Sequence, residues 1–357
     1  MPELPEVETV ARDLRPRLVG AEIVGARTTW ARTLRTHDPD AFALAVAGRT
    51  VEAVGRRGKQ LVIALSGEVA LTVHLKMTGQ LFVVPASASV DAYIRLTLEL
   101  AGGRELRFRD IRKFGRVGLY ERDPASGELL LEPGGAGVFG ATGPEPLDEA
   151  FTLRVFRRGL RARRGRLKSL LLDQSFVAGV GNIYADEALW LARLHPLRAA
   201  SSLGADHAKR LHWAIRTILA EAVDRRGSSI DDYTAPDGDG AMQERLQVYQ
   251  RTGEACPRCG RPIRRVVIGG RSTHFCSWCQ RLRATDRKGA AAILRTMTGR
   301  EGRRGRRWTE LPGGDGAVGP TADETARART QRTRRAAATR RAAARAASGA
   351  STTGGDG

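Results

Sequence analysis

An α+β chain is expected: an N-terminal helix, an antiparallel layer closed as a sandwich or barrel, a helical region, and a cysteine-bearing hairpin. Three observations predict this order. Short segments of alternating apolar residues, separated by Gly, Ser and Asp turns, fill residues 21–120. Apolar residues then recur at helical period over residues 150–226. Finally, the cysteines fall in two close pairs between 256 and 279.

The first helix is announced by Pro5, which suits a first turn, and by Glu6 and Glu8 near the positive end of the helix dipole. Val7, Val10, Leu14 and Leu18 continue it at helical spacing. Strands are expected at Ala21–Trp30, Thr50–Val54, Leu61–Leu65, Ala70–Leu75, Leu81–Val84, Tyr93–Leu100, Glu105–Arg109 and Arg116–Tyr120. The Gly- and Pro-rich stretch from Gly127 to Gly143 reads as a linker, placed at 136–149 between a domain at 2–135 and one at 150–250. In the second, Ala208, Leu211, Ile215, Ile218, Leu219 and Ala222 mark one helix, and Leu246–Tyr249 is strand-like. A third unit spans 251–285. From Asp286 to 357 the chain is Ala-, Arg- and Gly-rich with few large apolar residues, and a disordered basic tail is expected.

The 357 residues hold 59 Lys and Arg against 39 Asp and Glu, a formal charge of +20. Such an excess favours a polyanionic partner, nucleic acid before an anionic membrane surface. No apolar run approaches the ~20 residues of a membrane helix, and no amphipathic basic helix with aromatic anchors stands out. The cation is nearly always Arg; Lys59, Lys76, Lys113, Lys168, Lys209 and Lys288 stand out against it.

Cys256-x2-Cys259-x16-Cys276-x2-Cys279 makes two knuckles that can place thiolates tetrahedrally about one Zn2+. A closed all-thiolate set leaves no open position, so the metal is expected to be structural. Paired thiols also imply a reducing, cytoplasmic setting. Between the knuckles, Ile263–Ile268, Gly269-Gly270 and Arg271–Phe275 read as a hairpin.

The start of the chain has its own chemistry. Removal of Met1 would leave Pro2 with a free secondary amine, of pKa about 7.7–8.0 for an ordinary α-amino group. That amine is partly uncharged near neutral pH and is a candidate nucleophile, with Glu3 beside it as a proton donor. The run Pro2-Glu3-Leu4-Pro5-Glu6-Val7-Glu8-Thr9-Val10 resembles the start of formamidopyrimidine-DNA glycosylases, in the Fpg/Nei family of repair enzymes. Further motifs carry the resemblance across residues 2–285: Arg56–Leu61, His74–Gly79, Asp110–Gly115, Val177–Ala185, Gln243–Tyr249 and the cysteine unit with Arg271.

The resemblance implies a β-sandwich, a helix–two-turns–helix motif, and a bacterial, monomeric, nucleoid-associated enzyme acting on damaged double-stranded DNA. It implies that Pro2 attacks the sugar C1′, that Glu3 protonates the ring oxygen and that Glu6 supports them. Lys59 would contact the lesion phosphate and donate a proton during β-elimination; Arg271 would hold the flanking phosphates. Met77, Arg112 and Phe114 would fill the hole left by an extruded base, with Lys113, Arg163, Lys168 and Asn182 on the DNA-binding face. The glycines before Asn182 suggest an anion nest with Asn182 as helix cap and phosphate contact. Residues 228–240 loosely match a loop closing over the base.

The expected activity is excision of oxidised purines (8-oxoguanine, formamidopyrimidines) by a glycosylase with AP lyase activity, through β,δ-elimination. The alternatives are an endonuclease VIII-like enzyme acting on oxidised pyrimidines and a non-catalytic zinc-ribbon DNA-binding protein. One departure is Val90-Asp91-Ala92, where many family members carry His-x-His.

Overall fold

The computed structural model describes residues 1–132, 135–229, 238 and 240–298. Helix α1 (Leu4–Leu18) forms where the apolar period predicts it, with Leu4, Val7, Val10, Leu14 and Leu18 all buried. Eight antiparallel strands follow: β1 (Glu22–Thr28), β2 (Arg49–Arg57), β3 (Gln60–Leu65), β4 (Val69–His74), β5 (Gly79–Pro85), β6 (Ile94–Leu100), β7 (Arg104–Asp110) and β8 (Arg116–Glu121). Their hydrogen-bonded order is β5-β7-β6-β1-β2-β3-β4-β8. Strands β1 and β2 meet through just two register pairs, Glu22 with Thr50 and Ile23 with Arg49. The layer doubles over at this corner. Ile23, Leu98 and Phe108 from one half and Leu61, Leu71 and Leu119 from the other join α1 in a single core. The end strands β5 and β8 do not pair, so the result is a sandwich and not a closed barrel.

Helix α2 (Pro39–Val46) was not anticipated. Its signals are local: the Asp38 side chain accepts from the Ala41 N–H, and Pro39 opens the first turn. Helices α3 (Leu153–Arg161), α4 (Leu167–Leu172), α5 (Asn182–Leu191) and α6 (Ala205–Asp224) share a second core that includes Phe156, Leu171, Tyr184, Leu211 and Leu219. Two ion-pair clusters fasten the helical half to the sandwich half. Glu145 accepts from Arg56, Arg57 and the Gly58 N–H at 2.6, 2.8 and 2.5 Å. Arg226 grips Asp13 of α1 with both terminal nitrogens, at 2.9 and 2.8 Å.

The cysteine unit holds the expected hairpin, β9 (Arg264–Ile268) with β10 (Arg271–Phe275). Gly269 and Gly270 both have positive φ, 55° and 73°, the primed two-residue turn that only glycine adopts without strain.

Two expectations need correction. Leu246–Tyr249 is not a strand. Residues 242–244 make a 3-10 turn, and the N–H groups of Gln247, Val248 and Tyr249 all donate to the buried Glu187 carboxylate of α5. Nor does the tail begin at 286. Helices α7 (Ala284–Arg287) and α8 (Ala291–Arg295) continue the order, and Ala290, Ile293, Leu294 and Met297 pack with Val266 and Phe275 of the hairpin and with Leu197 from the stretch after α5. A few apolar side chains suffice there because a ready-made apolar face receives them. Most of the expected basic tail, from residue 299 onward, lies outside the described residues, as does most of the 228–240 loop.

A half-buried histidine, His74, and a buried one, His195, make the fold sensitive to acid. Burial first, then the charges of Lys76 and Lys59, hold His74 down to about 3; burial and Arg166 hold His195 down to about 3. Between these values and ~6.5 the unfolded chain binds protons that the folded chain refuses, so stability present above ~6.5 is lost as pH falls. The urea midpoint is therefore expected to drop on going from about pH 7 to about pH 5. The His195→Asn variant, whose amide oxygen can replace Nδ1 as acceptor of the Leu197 N–H, should show a shallower drop. An identical slope would exclude His195 as a contributor.

Candidate active site

The N-terminal residues lie where α1, the β2–β3 turn and the start of α5 meet. The Leu4 N–H donates to the Gly179 carbonyl at 3.0 Å, which brings the first turn of α1 against the link between α4 and α5. Gly58, at φ 57°, abuts Ala178 and Gly179 from the other side, and Lys59 follows it. A pocket of about 160 Å³ opens here, lined by Pro2, Glu3, Glu6, Met77, Asn182, Tyr249 and Arg271 among others.

Glu3 is the most constrained of these residues. Its carboxylate accepts the N–H groups of Gly181 at 2.7 Å, Ile183 at 2.8 Å and, more weakly, Tyr184 at 3.4 Å. The anion nest expected before α5 therefore exists, but it holds Glu3. A Cβ at Gly181 would stand 2.3 Å from the Glu3 carboxyl carbon, which explains the glycine. Burial pushes the Glu3 carboxyl above the ordinary range, against the pull of the Lys59 charge. Glu6 lies one turn on. It accepts the Glu3 N–H at 2.8 Å, the Tyr184 hydroxyl at 2.5 Å and the Ser228 N–H at 2.8 Å. Burial and the Glu6 charge hold Tyr184 well above its ordinary value, so it stays a donor.

The Lys59 ammonium makes no hydrogen bond or ion pair among the described residues. Burial draws its pKa down, opposed by Glu3 and reinforced by Arg271. A lysine of this kind can pass a proton more readily than an exposed one. Arg271 is exposed and opens β10, at the mouth of the pocket.

The two loop tips are tied at their bases. Asp110 accepts from the Thr78 hydroxyl at 2.5 Å and from the Gly115 N–H at 2.7 Å, and the Arg112 N–H donates to Thr78 at 3.1 Å. Met77, which lines the pocket, and Phe114 remain 37% and 45% exposed, large apolar groups offered to solvent. Arg112 lies over the Phe114 ring at 5.0 Å, and Lys113 over Trp30 at 4.0 Å.

Of the expected DNA contacts, Lys168 is placed otherwise, while Asn182 and Arg163 each already have a protein partner. Lys168 is fully buried: its ammonium donates to Asp186 at 2.7 Å and to the Asn182 carbonyl at 2.8 Å, so it has no surface to offer a phosphate. Asn182 is not the cap of α5; Gly181 is. The Asn182 amide donates to the Ser272 carbonyl at 2.9 Å, while its Oδ1 is buried with no partner among the described residues. Arg163 is partly exposed but engaged, at 3.2 Å from Asp173 and at similar distance from Ser175. Sequence reasoning missed Tyr184, Ser228, Asp186 and Glu187, which carry the polar network under the site; an acidic pair inside an apolar helix is the signal that was there to read.

The cysteine sulfurs all lie within 4.8 Å of one another, with Cys256–Cys279 at 4.0 Å and Cys259–Cys276 at 3.5 Å. Tetrahedral zinc thiolates at ~2.3 Å set sulfurs ~3.8 Å apart. The four make one structural zinc site. Its hairpin is fastened to α5 by Asn182 to Ser272 and by the His274 N–H to Asp186 at 2.8 Å.

Family models match three stretches. Residues 1–117 match the formamidopyrimidine-DNA glycosylase N-terminal domain, 142–234 its H2TH domain, and 253–282 a zinc finger found in FPG and IleRS. The formamidopyrimidine-DNA glycosylase of Chloroflexus aurantiacus is 48% identical over 282 residues, 78% of this chain and 98% of that one. The crystal structure of the MutM (FPG) protein of Thermus thermophilus superimposes with a TM-score of 0.69 at 44% identity, covering 78% of this chain and 98% of that one. A Lactococcus lactis Fpg complex with abasic site-containing DNA gives 0.72 at 38% identity, covering 78% and 100%. Among the described residues, no helix is long and apolar enough to cross a membrane.

Proposed function

The chain belongs to the formamidopyrimidine-DNA glycosylase family, a DNA glycosylase of base excision repair, and on that premise we propose that it removes oxidised purines and then cuts the strand. With Met1 removed, the Pro2 nitrogen attacks C1′ of the damaged nucleotide. The C1′–base bond breaks, the departing base taking the proton that the Pro2 nitrogen gives up, and Glu3 gives its proton to the sugar ring oxygen as the C1′–O4′ bond opens, leaving the sugar as an iminium on Pro2. That iminium draws electrons from C2′. Loss of the C2′ proton expels the 3′ phosphate, and a second elimination expels the 5′ phosphate.

The observation that carries this reading is that Glu3, a buried carboxyl held up in pKa, shares the pocket with Pro2 and lies within the field of Lys59, a lysine held down and without a partner among the described residues. Binding alone requires neither. Glu6 holds the first turn in place, Lys59 serves the elimination, and Arg271 takes the flanking phosphates. Met77, Arg112 and Phe114 fill the vacated stack, with Lys113, Arg163 and Asn182 along the duplex. Relatives support DNA as the partner: a Lactococcus lactis Fpg structure contains N7-benzyl-Fapy-dG DNA, at 38% identity and a TM-score of 0.72.

Borohydride reduction during reaction with an 8-oxoguanine duplex tests the reading. A covalent protein–DNA adduct mapping to Pro2 by peptide mass spectrometry is expected, and its absence in Pro2→Gly. An adduct mapping to Lys59 would transfer the nucleophile's role there. Absence of any adduct on a panel of oxidised purines, with adduct on oxidised pyrimidines, would shift the substrate class.

A further inference from the structure

Lys168 and Asp186 form an ion pair closed off from water: their side chains are 0% and 1% exposed, with Nζ 2.7 Å from Oδ1. Neither has a part in the reaction proposed above. Apolar residues of similar volume often replace such a pair without loss, so stability alone does not call for it. The second carboxylate oxygen, Oδ2, accepts the backbone N–H of His274 at 2.8 Å, and Nδ1 of the same residue lies 3.2 Å from it.

Spacing gives this contact its direction. Asn182 and Asp186 stand four residues apart on α5, hence on one face and about 6 Å apart along the axis. They meet the Ser272 carbonyl, 2.9 Å from the Asn182 amide, and the His274 N–H. Residues two apart in a strand are separated by about 6.6–6.8 Å and turn their backbone groups to the same edge. Strand β9 takes one edge of β10. On the other, two side chains of α5 supply what a third strand would. Lys168 donates from the helix side, to Asp186 and to the Asn182 carbonyl at 2.8 Å, and keeps the carboxylate turned to the strand. Arg271 adjoins Ser272. The placement of β10 along α5 therefore decides where the Arg271 guanidinium stands at the pocket mouth.

We infer that Asp186 is a positioning residue for Arg271, fixing the register of the hairpin along α5, with Lys168 as its counter-charge. The inference rests on the phosphate contact proposed for Arg271.

The test is affinity for a duplex carrying an abasic-site analogue, measured against salt with the full-length zinc protein. Lys168→Met with Asp186→Leu removes the ion pair as a unit and leaves the His274 N–H without an acceptor. Lys168→Met with Asp186→Asn keeps an oxygen for it. The leucine variant is expected to bind about tenfold or more weakly, the scale of one lost charge-assisted hydrogen bond. Its slope of log affinity against log salt should be shallower by about 0.9, one phosphate contact on duplex DNA. The asparagine variant should bind as the parent does. Arg271→Ala should weaken the parent but add little to the leucine variant, because the contact is already gone. Equal costs of Arg271→Ala in the two backgrounds would overturn the inference. So would a parent-like slope in the leucine variant, or equal losses in the leucine and asparagine variants. Asp186→Ala takes the place of leucine if that protein does not fold. Should Arg271→Ala leave the parent unchanged, the phosphate contact itself fails, and the inference with it. The Pro2 adduct is independent of either result.

Discussion

Glu3→Gln is expected to slow excision of 8-oxoguanine by about 10²–10⁴-fold, the range that a positioned proton donor contributes. The substitution is nearly isosteric. It removes the ionisable proton and sets an NH2 against one of the amide donors of α5, so a modest loss of stability, about 1–3 kcal/mol, accompanies it. The pH profile separates the two effects. In the proposed mechanism Glu3 must be protonated to act and Pro2 must not be. With the Glu3 carboxyl raised by burial, activity should fall on the alkaline side as that proton is lost, and on the acid side as the Pro2 amine is protonated. In the glutamine variant the alkaline limb should vanish. Single-turnover excision measured alongside incision of a preformed abasic site provides the check, since the second reaction has no base to expel. Equal losses in both reactions would remove Glu3 from the base-departure step.

Stripping the zinc, or replacing Cys256 by Ser, should abolish specific DNA binding while leaving most of the helix and sheet signal in place. A two-stranded hairpin is marginal on its own in water, whereas structural zinc contributes about 10–16 kcal/mol in isolated fingers. Without the metal, β9 and β10 lose their brace. Arg271 goes with them, and so do the contacts from Ser272 to Asn182 and from His274 to Asp186. Affinity for a duplex carrying an abasic-site analogue is expected to fall toward the non-specific level, about 10³-fold or more. Retention of full affinity by a protein shown to be metal-free would refute this dependence.

What could be read directly from the chain was local. The cysteine knuckles, the glycine turn at 269–270, the alternation of β3 and the apolar stripe of α1 each declare themselves within a few residues. Partnerships across the chain did not. Lys168 sits in an arginine-rich run that looks like a solvated face, and nothing nearby reveals that Asp186, 18 residues on, will bury it. The loop at 246–249 alternates buried and half-buried side chains as a strand does. Its amides are claimed by Glu187, about 60 residues upstream, so no ladder forms. The glycines before α5 were correctly legible as a nest for an anion; which anion depended on a residue 178 positions away.

That separation has a bearing on biosynthesis. Glu3 leaves the ribosome among the first residues, yet the amides that receive it belong to a segment translated much later, and Arg271 later again. A chain released before residue 181 is made therefore carries Glu3 without the amides that receive it.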